Sequence, residues 1–230
     1  GTFTTMGNVP FTFDPIVNVM DPDTSDVITI NQLNGQPATV GTQITLDSGA
    51  TVTVGSITYD PTTSASMQGL SAGETATETF TFGVSDGNGG TSVGSVTITI
   101  VGVNDAPVAS PNEYFTTEDS VRSGNVITDN TGDGVDTDVD GDAVTVLQVN
   151  GSAANVGVLA TLPNGAALRV NSDGTFTYDA SVSPLLNALA EGAVDNSTFT
   201  YTISDGNGET STATVTVTVT GVNDTPTATP

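Results

Sequence analysis

The feature that most constrains this chain is an internal repeat. Residues 79–107 and residues 198–226 have nearly the same order of residue types, so that Asp86 corresponds to Asp205 at an offset of 119 positions. The correspondence continues upstream with small insertions and deletions. Self-similarity of this kind indicates consecutive copies of one structural unit. We therefore expect two tandem domains, which suits a chain of 230 residues at roughly 100–150 residues per domain.

The repeat also sets the expected boundaries. We place the first domain at residues 1–104, the second at 105–222 and a linker to a following repeat at 223–230. The first copy lacks the beginning of its first strand, and the second copy carries an extra acidic segment near 130–138. We expect the chain to be part of a longer protein.

Both copies show the patterns of β-strands. Apolar residues alternate with polar ones over 95–101 and over 212–220, which places the apolar side chains on one face. Turn signals containing Gly, Asn or Asp recur every 8–15 residues. The pattern predicts an all-β chain of two immunoglobulin-like antiparallel β-sandwich domains with about seven strands each. Short helical turns are expected within 65–73 and 183–192.

Aromatic residues recur at matched positions in the two copies, so we interpret them as core residues rather than as platforms for sugars. They are Tyr59, Phe80, Phe82, Tyr178, Phe199 and Tyr201.

The charge balance is strongly acidic. The chain has 26 acidic and two basic residues, a net charge of −24. Unpaired carboxylates repel one another in a compact state, and bound cations relieve that repulsion. Carboxylate oxygens are hard ligands that suit Ca²⁺, so calcium is the expected cofactor; a halophilic surface is the alternative. Nucleic acid is excluded as a partner, because phosphate binding needs a basic patch.

Other functions are limited by what the sequence lacks. The chain has no Cys and no His, so Ser-His and Cys-His catalysis are impossible within it. A pair of carboxylates could still hydrolyse a glycoside, although carboxylates that recur with the repeat suggest a structural role. No apolar run is long enough for a membrane span, and no signal peptide is recognisable, so no membrane insertion is expected.

The acidic residues concentrate in loops and linkers. Asp138, Asp140 and Asp142 alternate in one loop of the second copy, where three carboxylates could converge on one ion. Asp-Gly loops are also ordinary turns. An EF-hand is rejected, because its bidentate Glu would fall at Leu147. A β-roll is rejected as well, because the glycine-rich motif at 87–90 does not iterate.

The remaining candidates carry similar alternatives. The loops that contain Asp86, Asn88, Asp205 and Asn207 could bind an ion or could build type I′ hairpin turns. The linker residues before proline could bind an ion or could cap a turn. The full set of candidate metal ligands is Asp21, Asp23, Asp26, Asp86, Asn104, Asp105, Glu118, Asp119, Asp138, Asp140, Asp142, Asp205, Asn223 and Asp224.

Strand alternation predicts where these candidates lie. Successive loops of an antiparallel sandwich fall at alternate ends, so the loop at 138–142 and the hairpin at 205–208 should share one end with the entry linker. Glu118 and Asp119 should lie at the opposite end, near the exit linker. A cation at either end could take oxygens from two domains, by analogy with the cadherins. The first copy has Met6 and Gly7 in place of this acidic pair.

These motifs resemble a known family. The SDGNG turn, the long Thr/Val final strand, the VND(A/T)P linker, the TTED opening and the DVDGD loop together are similar to the VCBS and cadherin-like tandem repeats of bacterial RTX-type adhesins. The resemblance covers essentially the whole chain. It implies export by a type I secretion system, folding in calcium outside the cell and a place on the bacterial cell surface.

The resemblance implies a function as calcium-stabilised extender or stalk repeats that support cell adhesion or biofilm formation. The expected partners are neighbouring repeats of the same chain, with glycans or surface proteins bound through other domains. The alternative is a calcium-dependent module that itself binds a glycan or a protein. It would need an additional pocket, for which the insertion at 131–137 is the candidate.

Overall fold

A computed structural model of the chain describes residues 1–23 and 25–226. It divides into two compact units, Gly1–Asn104 and Asp105–Pro230. Residues 227–230 of the expected exit linker lie outside the described residues. Within the described part of the chain, no helix has the length and apolar character needed to cross a membrane.

Unit 1 is a sandwich of two sheets. One sheet has the strand order β1-β9-β8-β3-β4 and the other β2-β7-β6-β5. The strands are β1 (Thr2–Met6), β2 (Phe11–Phe13), β3 (Thr29–Leu33), β4 (Gln36–Pro37), β5 (Gln43–Thr45), β6 (Thr51–Thr53), β7 (Ile57–Asp60), β8 (Thr75–Ser85) and β9 (Thr91–Val101). A 3₁₀ turn at Pro61–Thr63 and the short helix α1 at Ala65–Gln68 follow β7.

Unit 2 repeats this arrangement. Its sheets have the orders β10-β17-β16-β12 and β11-β15-β14-β13. The strands are β10 (Asn112–Thr117), β11 (Val121–Asn125), β12 (Thr145–Val149), β13 (Ala160–Thr161), β14 (Ala167–Val170), β15 (Thr175–Asp179), β16 (Val194–Ser204) and β17 (Thr210–Thr220). Short 3₁₀ turns occur at Ala153–Asn155 and Leu186–Ala188.

The core of each unit lies between its two sheets. In β9, Val96, Ile98 and Ile100 are buried, and the alternating residues of β17 behave in the same way. The matched aromatic residues are buried as well, which confirms their interpretation as core. In unit 1, Phe82 packs in the apolar cluster together with Val84.

The predicted all-β sandwich class is confirmed. Two expected details differ. The described residues form nine strands in unit 1 and eight in unit 2 rather than about seven in each. The first strand of each unit also pairs in parallel with the last: β1 with β9 and β10 with β17. After its first strand the chain crosses to the other sheet, where the second strand pairs with β7 or β15. The first strand therefore forms no hairpin with the second strand and pairs instead with the last strand of its unit.

Candidate metal centres

One group of three carboxylates lies in unit 2, between the end of the loop at 130–137 and the start of β12. Asp138, Asp140 and Asp142 each bring one carboxylate oxygen within 4.8 Å of the others. Glycine at 141, with a φ of 78°, allows the turn that this convergence needs. The predicted loop therefore does collect its three acidic side chains.

A hydrogen bond to one of its oxygens orients each of these carboxylates. Asp138 Oδ1 accepts a hydrogen bond from the Asp140 amide at 2.9 Å, and Asp140 Oδ2 accepts one from the Asp105 amide at 2.7 Å. Asp142 Oδ2 accepts a hydrogen bond from Asn207 Nδ2 at 2.6 Å. The entry segment and the hairpin loop at 205–208 thus meet the acidic loop at one end of unit 2.

The remaining oxygens of two of these side chains have no partner. Asp138 Oδ2 and Asp140 Oδ1 are buried without a hydrogen bond. Burial and the nearby charges of Asp140 and Asp138 raise the pKa of Asp105 above its ordinary value. Buried acceptors without donors are costly, so this donor set fits a hard cation that would accept these oxygens as ligands.

Asp205 shapes the hairpin loop, which is one of the two roles that the sequence left open for it. Its side chain is buried, and Oδ1 accepts hydrogen bonds from the amides of Asn207, Gly208 and Glu209 at 2.8–3.2 Å. These bonds build the hairpin loop that carries Asn207 to Asp142. Asp205 does not belong to the converging group of three.

Unit 1 has a different acidic group at the corresponding end. Asp21, Asp26 and Asp86 bring carboxylate oxygens within 4.8 Å of one another, whereas Asp23 is exposed and lies outside this group. Asp86 also accepts hydrogen bonds from the amides of Asn88 and Gly90 at 2.7 and 2.9 Å. Asp86 therefore both shapes its turn and joins the acidic group.

The opposite end of unit 2 contains a single buried carboxylate. Glu118 is 0% exposed; Oε1 accepts a hydrogen bond from the Val222 amide at 2.7 Å, and Oε2 has no partner. Asp119 is exposed, as are Asn223 and Asp224. The structure thus brings Glu118 to the start of the exit segment, and among the described residues Asp119 and Asp224 form no group of three carboxylates with it. Asn104, the last residue of unit 1, is half-buried.

The sequence placed Asp136 in the extra acidic segment of the second copy but did not predict that its carboxylate is buried beside the acidic loop. Asp136 is 7% exposed, and burial raises its pKa, while hydrogen bonds from Ser110 and Tyr201 act in the opposite direction. A difference between the two copies could have indicated this buried carboxylate. Tyr201, which bonds to Asp136 at 3.0 Å, corresponds to Phe82 in the first copy, and the first copy has no acidic residue at the matching place.

Two models of bacterial domain families match the chain. A family model described as bacterial cadherin-like domain matches residues 104–221, and one described as bacterial Ig domain matches residues 1–99. No curated protein matches the chain.

Solved structures of cadherins resemble the chain at low identity. Human mucin-like protocadherin EC1-2 has 15% identity and a TM-score of 0.44, with 96% of this chain and 95% of that chain covered. The human desmocollin-1 ectodomain has 11% identity and a TM-score of 0.43, with 97% and 40% covered. Mouse cadherin-23 EC22-24 has 14% identity and a TM-score of 0.37, with 78% and 52% covered. This chain thus spans about half or less of the latter two chains.

The family model covers just over half of the chain and encloses the acidic loop of unit 2 together with the segments that meet it. The chain therefore belongs to the bacterial cadherin-like domain family.

Proposed function

We propose that this chain is a pair of calcium-stabilised extender repeats of a secreted bacterial surface adhesin. The observation that carries the proposal is the acidic loop of unit 2, where three carboxylates converge. Two of their oxygens, on Asp138 and Asp140, are buried without a partner. Cadherin-like domains generally bind Ca²⁺, which makes calcium the natural ligand for this donor set.

Electrostatics favours a bound ion over an empty loop. Two like charges about 4–5 Å apart repel by about 3–4 kcal/mol at an effective dielectric constant of 20. The described residues include only Arg122 and Arg169 as basic side chains, and neither belongs to an ion pair with the loop. A halophilic surface would spread its carboxylates into solvent, whereas these three converge at half-buried positions.

The residues of unit 2 divide the work. Asp138 and Asp140 would hold the ion through their unpartnered oxygens, and Asp142 would add a third carboxylate that Asn207 orients. When bound, the ion supplies positive charge that neutralises the loop. The hydrogen bond from the Asp105 amide to Asp140 connects this loop to the segment through which the chain enters unit 2.

Glu118 supports a second binding place at the opposite end of unit 2. A fully buried carboxylate with one hydrogen bond and one unpartnered oxygen is costly unless a charge compensates it. We propose that Glu118 donates this oxygen to a cation near the exit segment. Asp119, Asn223 and Asp224 are close in sequence and are the candidates to complete the site.

The extender function follows from repetition. Both units contain an acidic group at the same end of the same fold, as expected of a module that is duplicated for length rather than for a unique reaction. We propose that the acidic groups are structural and that the chain is not an enzyme. Type I secretion, membership of the VCBS and RTX-type adhesins, and a role in adhesion or biofilm formation belong to the same proposal.

One observation favours a second candidate function, a calcium-dependent binding module. In unit 1, an open depression of about 200 Å³ includes Asp21, Asp86 and Met20, and Met20 is 93% exposed. A cation held by Asp21 and Asp86 would lie beside an apolar side chain and within reach of a ligand from solvent. A screen of immobilised glycans with and without EDTA tests this alternative.

Isothermal titration calorimetry tests the proposed cation binding. We expect Ca²⁺ to bind the 230-residue chain with a dissociation constant of about 10⁻⁴–10⁻³ M, as for other extracellular modules. Asp140→Asn should weaken the unit 2 site at least about 10-fold. The change removes the negative charge and replaces one carboxylate oxygen with an amide NH₂ group, which cannot bind a cation. Glu191→Gln removes the same charge from an exposed position and should leave the affinity unchanged. Absence of binding heat at calcium concentrations up to about 10 mM, roughly 10-fold above the upper end of this range, would refute the proposal.

A further inference from the structure

The insertion that distinguishes unit 2 is built into the fold at both of its ends. We call residues 131–137, the extra segment of the second copy, the strap. At one end, Glu113 N donates to Thr131 Oγ1 at 2.9 Å. At the other end, Val108 N donates to Thr137 O at 2.7 Å, and Thr137 N donates to Val108 O at 3.1 Å. The strap therefore binds the segment that leads into β10.

Asp136 is the buried anchor of the strap. Its Oδ1 accepts hydrogen bonds from Ser110 N at 2.7 Å and from the Tyr201 hydroxyl at 3.0 Å. The same hydroxyl lies 2.9 Å from Ser110 O and 3.0 Å from Val126 O. One carboxylate oxygen thus joins the strap, the entry segment and β16, whereas Oδ2 has no partner.

Unit 1 shows that this fold does not require such an anchor. Tyr201 corresponds to Phe82, which packs in the apolar core of unit 1, and the strap that carries Asp136 is the segment that unit 1 lacks. Since unit 1 forms the same sandwich without this polar pair, and a buried carboxylate costs stability, Asp136 has a role beyond holding the sandwich together.

That role follows from what lies at the two ends of the joined segments. The strap continues directly into Asp138, the first carboxylate of the acidic loop. The entry segment begins at Asp105, whose amide donates to Asp140. By fixing Ser110 to the strap, Asp136 holds the acidic loop and the entry segment in a defined arrangement, in which the Asp105 amide reaches Asp140.

We propose that Asp136 is a positioning residue that preorganises the acidic loop for its cation, a role that rests on the proposed calcium binding. Preorganisation raises affinity because less ordering is left for the binding step. The hydrogen bonds to Asp136 Oδ1, and not its negative charge, position the acidic loop. A carboxamide that retains this acceptor should therefore replace the carboxylate, while a methyl group should not.

Calorimetric calcium titration of the 230-residue chain and four variants tests the proposal. Asp136→Ala should weaken the unit 2 site about 10-fold or more, whereas Asp136→Asn should stay within about threefold of the original chain. Asp133→Ala is the matched control, because it removes one charge from an exposed position in the same strap and should change little. Tyr201→Phe, the residue of unit 1, should weaken binding less than Asp136→Ala.

Two outcomes would overturn the positioning role. Equal losses for Asp136→Asn and Asp136→Ala would make the charge itself the active element, as in a direct ligand. Unchanged affinity for Asp136→Ala would show that the strap does not act on the loop.

Amide hydrogen exchange in EDTA provides a readout that needs no calcium and also detects a variant that fails to fold. Asp136→Ala should speed exchange at 105–110 and 138–142 at least about 10-fold, with β14 and β15 unchanged. If exchange responds while the original chain binds no calcium, the proposed function fails but the strap does position the loop. If exchange at these segments does not respond, the positioning role is wrong.

Discussion

At the scale of single residues, the two oxygens of three carboxylates in unit 2 have different roles. In Asp138, Asp140 and Glu118, one oxygen accepts a hydrogen bond from a backbone amide, and the other oxygen is buried without a partner. The first bond fixes the side chain in one orientation. The second oxygen then lies in a defined place, which is what a coordination site requires.

Two glycines show how closely the repeat is packed. Gly102 and Gly221 are equivalent residues that follow the last strand of each unit. A methyl group on Gly102 would overlap the carbonyl oxygens of Leu70 and Ser71, and one on Gly221 would overlap that of Ala190. Backbone atoms cannot rotate away as a side chain does, so these positions tolerate only glycine.

We predict that Gly102→Ala destabilises unit 1 by about 1–3 kcal/mol, the usual cost of overpacking. Gly55→Ala is the control, because a methyl group there meets nothing within 4 Å, and its effect should stay within about 1 kcal/mol. Urea denaturation followed by hydrogen exchange in β8 and β9 measures both variants. Equal midpoints for the two variants would contradict the packing at Gly102.

The sequence predicted part of this residue-level picture. Alternating aspartates in a glycine-containing loop indicated the group at 138–142, because a turn in so short a loop can bring the three side chains to one side. The sequence marked Asp136 as part of an extra acidic segment but did not reveal its burial, since an aspartate among other loop aspartates looks like a surface residue. Asp136 bonds to Ser110 and Tyr201, which are distant along the chain.

At the scale of strands, alternation of apolar and polar residues determined the orientation of β9 and β17. It did not determine the partner of the first strand, because alternation specifies a face and not a neighbour or a direction. The parallel pairing of β10 with β17 joins residues about 100 positions apart, such as Tyr114 and Val217. Only the packed sandwich selects that partner.

We predict that the inward face of β9 carries most of its contribution to stability. Ile98 is 0% exposed, so Ile98→Ala should cost about 2–5 kcal/mol through lost burial and an internal cavity. Ser95→Ala, at an exposed position of the same strand, should stay within about 0.5 kcal/mol. Chemical denaturation with circular dichroism measures both. A cost below 1 kcal/mol for Ile98→Ala would place that side chain outside the core.

At the scale of the whole molecule, the two copies share a fold but differ in how they arrange their charges. Unit 2 combines an acidic loop, a buried anchor at Asp136 and a buried Glu118. Unit 1 collects Asp21, Asp26 and Asp86 instead, and has Met6 where unit 2 has Glu118. We therefore expect the two units to bind calcium with different affinities and unit 2 to be the tighter one.

The net charge of −24 gives this expectation its physical basis. Self-repulsion opposes the compact state in the absence of cations, and ions that bind only the folded state stabilise it by mass action. With a dissociation constant of about 10⁻⁴–10⁻³ M, calcium at about 10 mM should add roughly 1.4–2.7 kcal/mol per site.

Thermal unfolding of the 230-residue chain in calcium and in EDTA tests the central claim most directly. Sodium chloride at matched ionic strength is the control, because salt alone also screens the repulsion. We predict that 10 mM CaCl₂ raises the melting temperature by about 5 °C or more over both the EDTA and the sodium samples, and that Asp138→Asn combined with Asp140→Asn removes most of the gain in unit 2. A melting temperature that is the same in calcium and in matched sodium chloride would contradict the account.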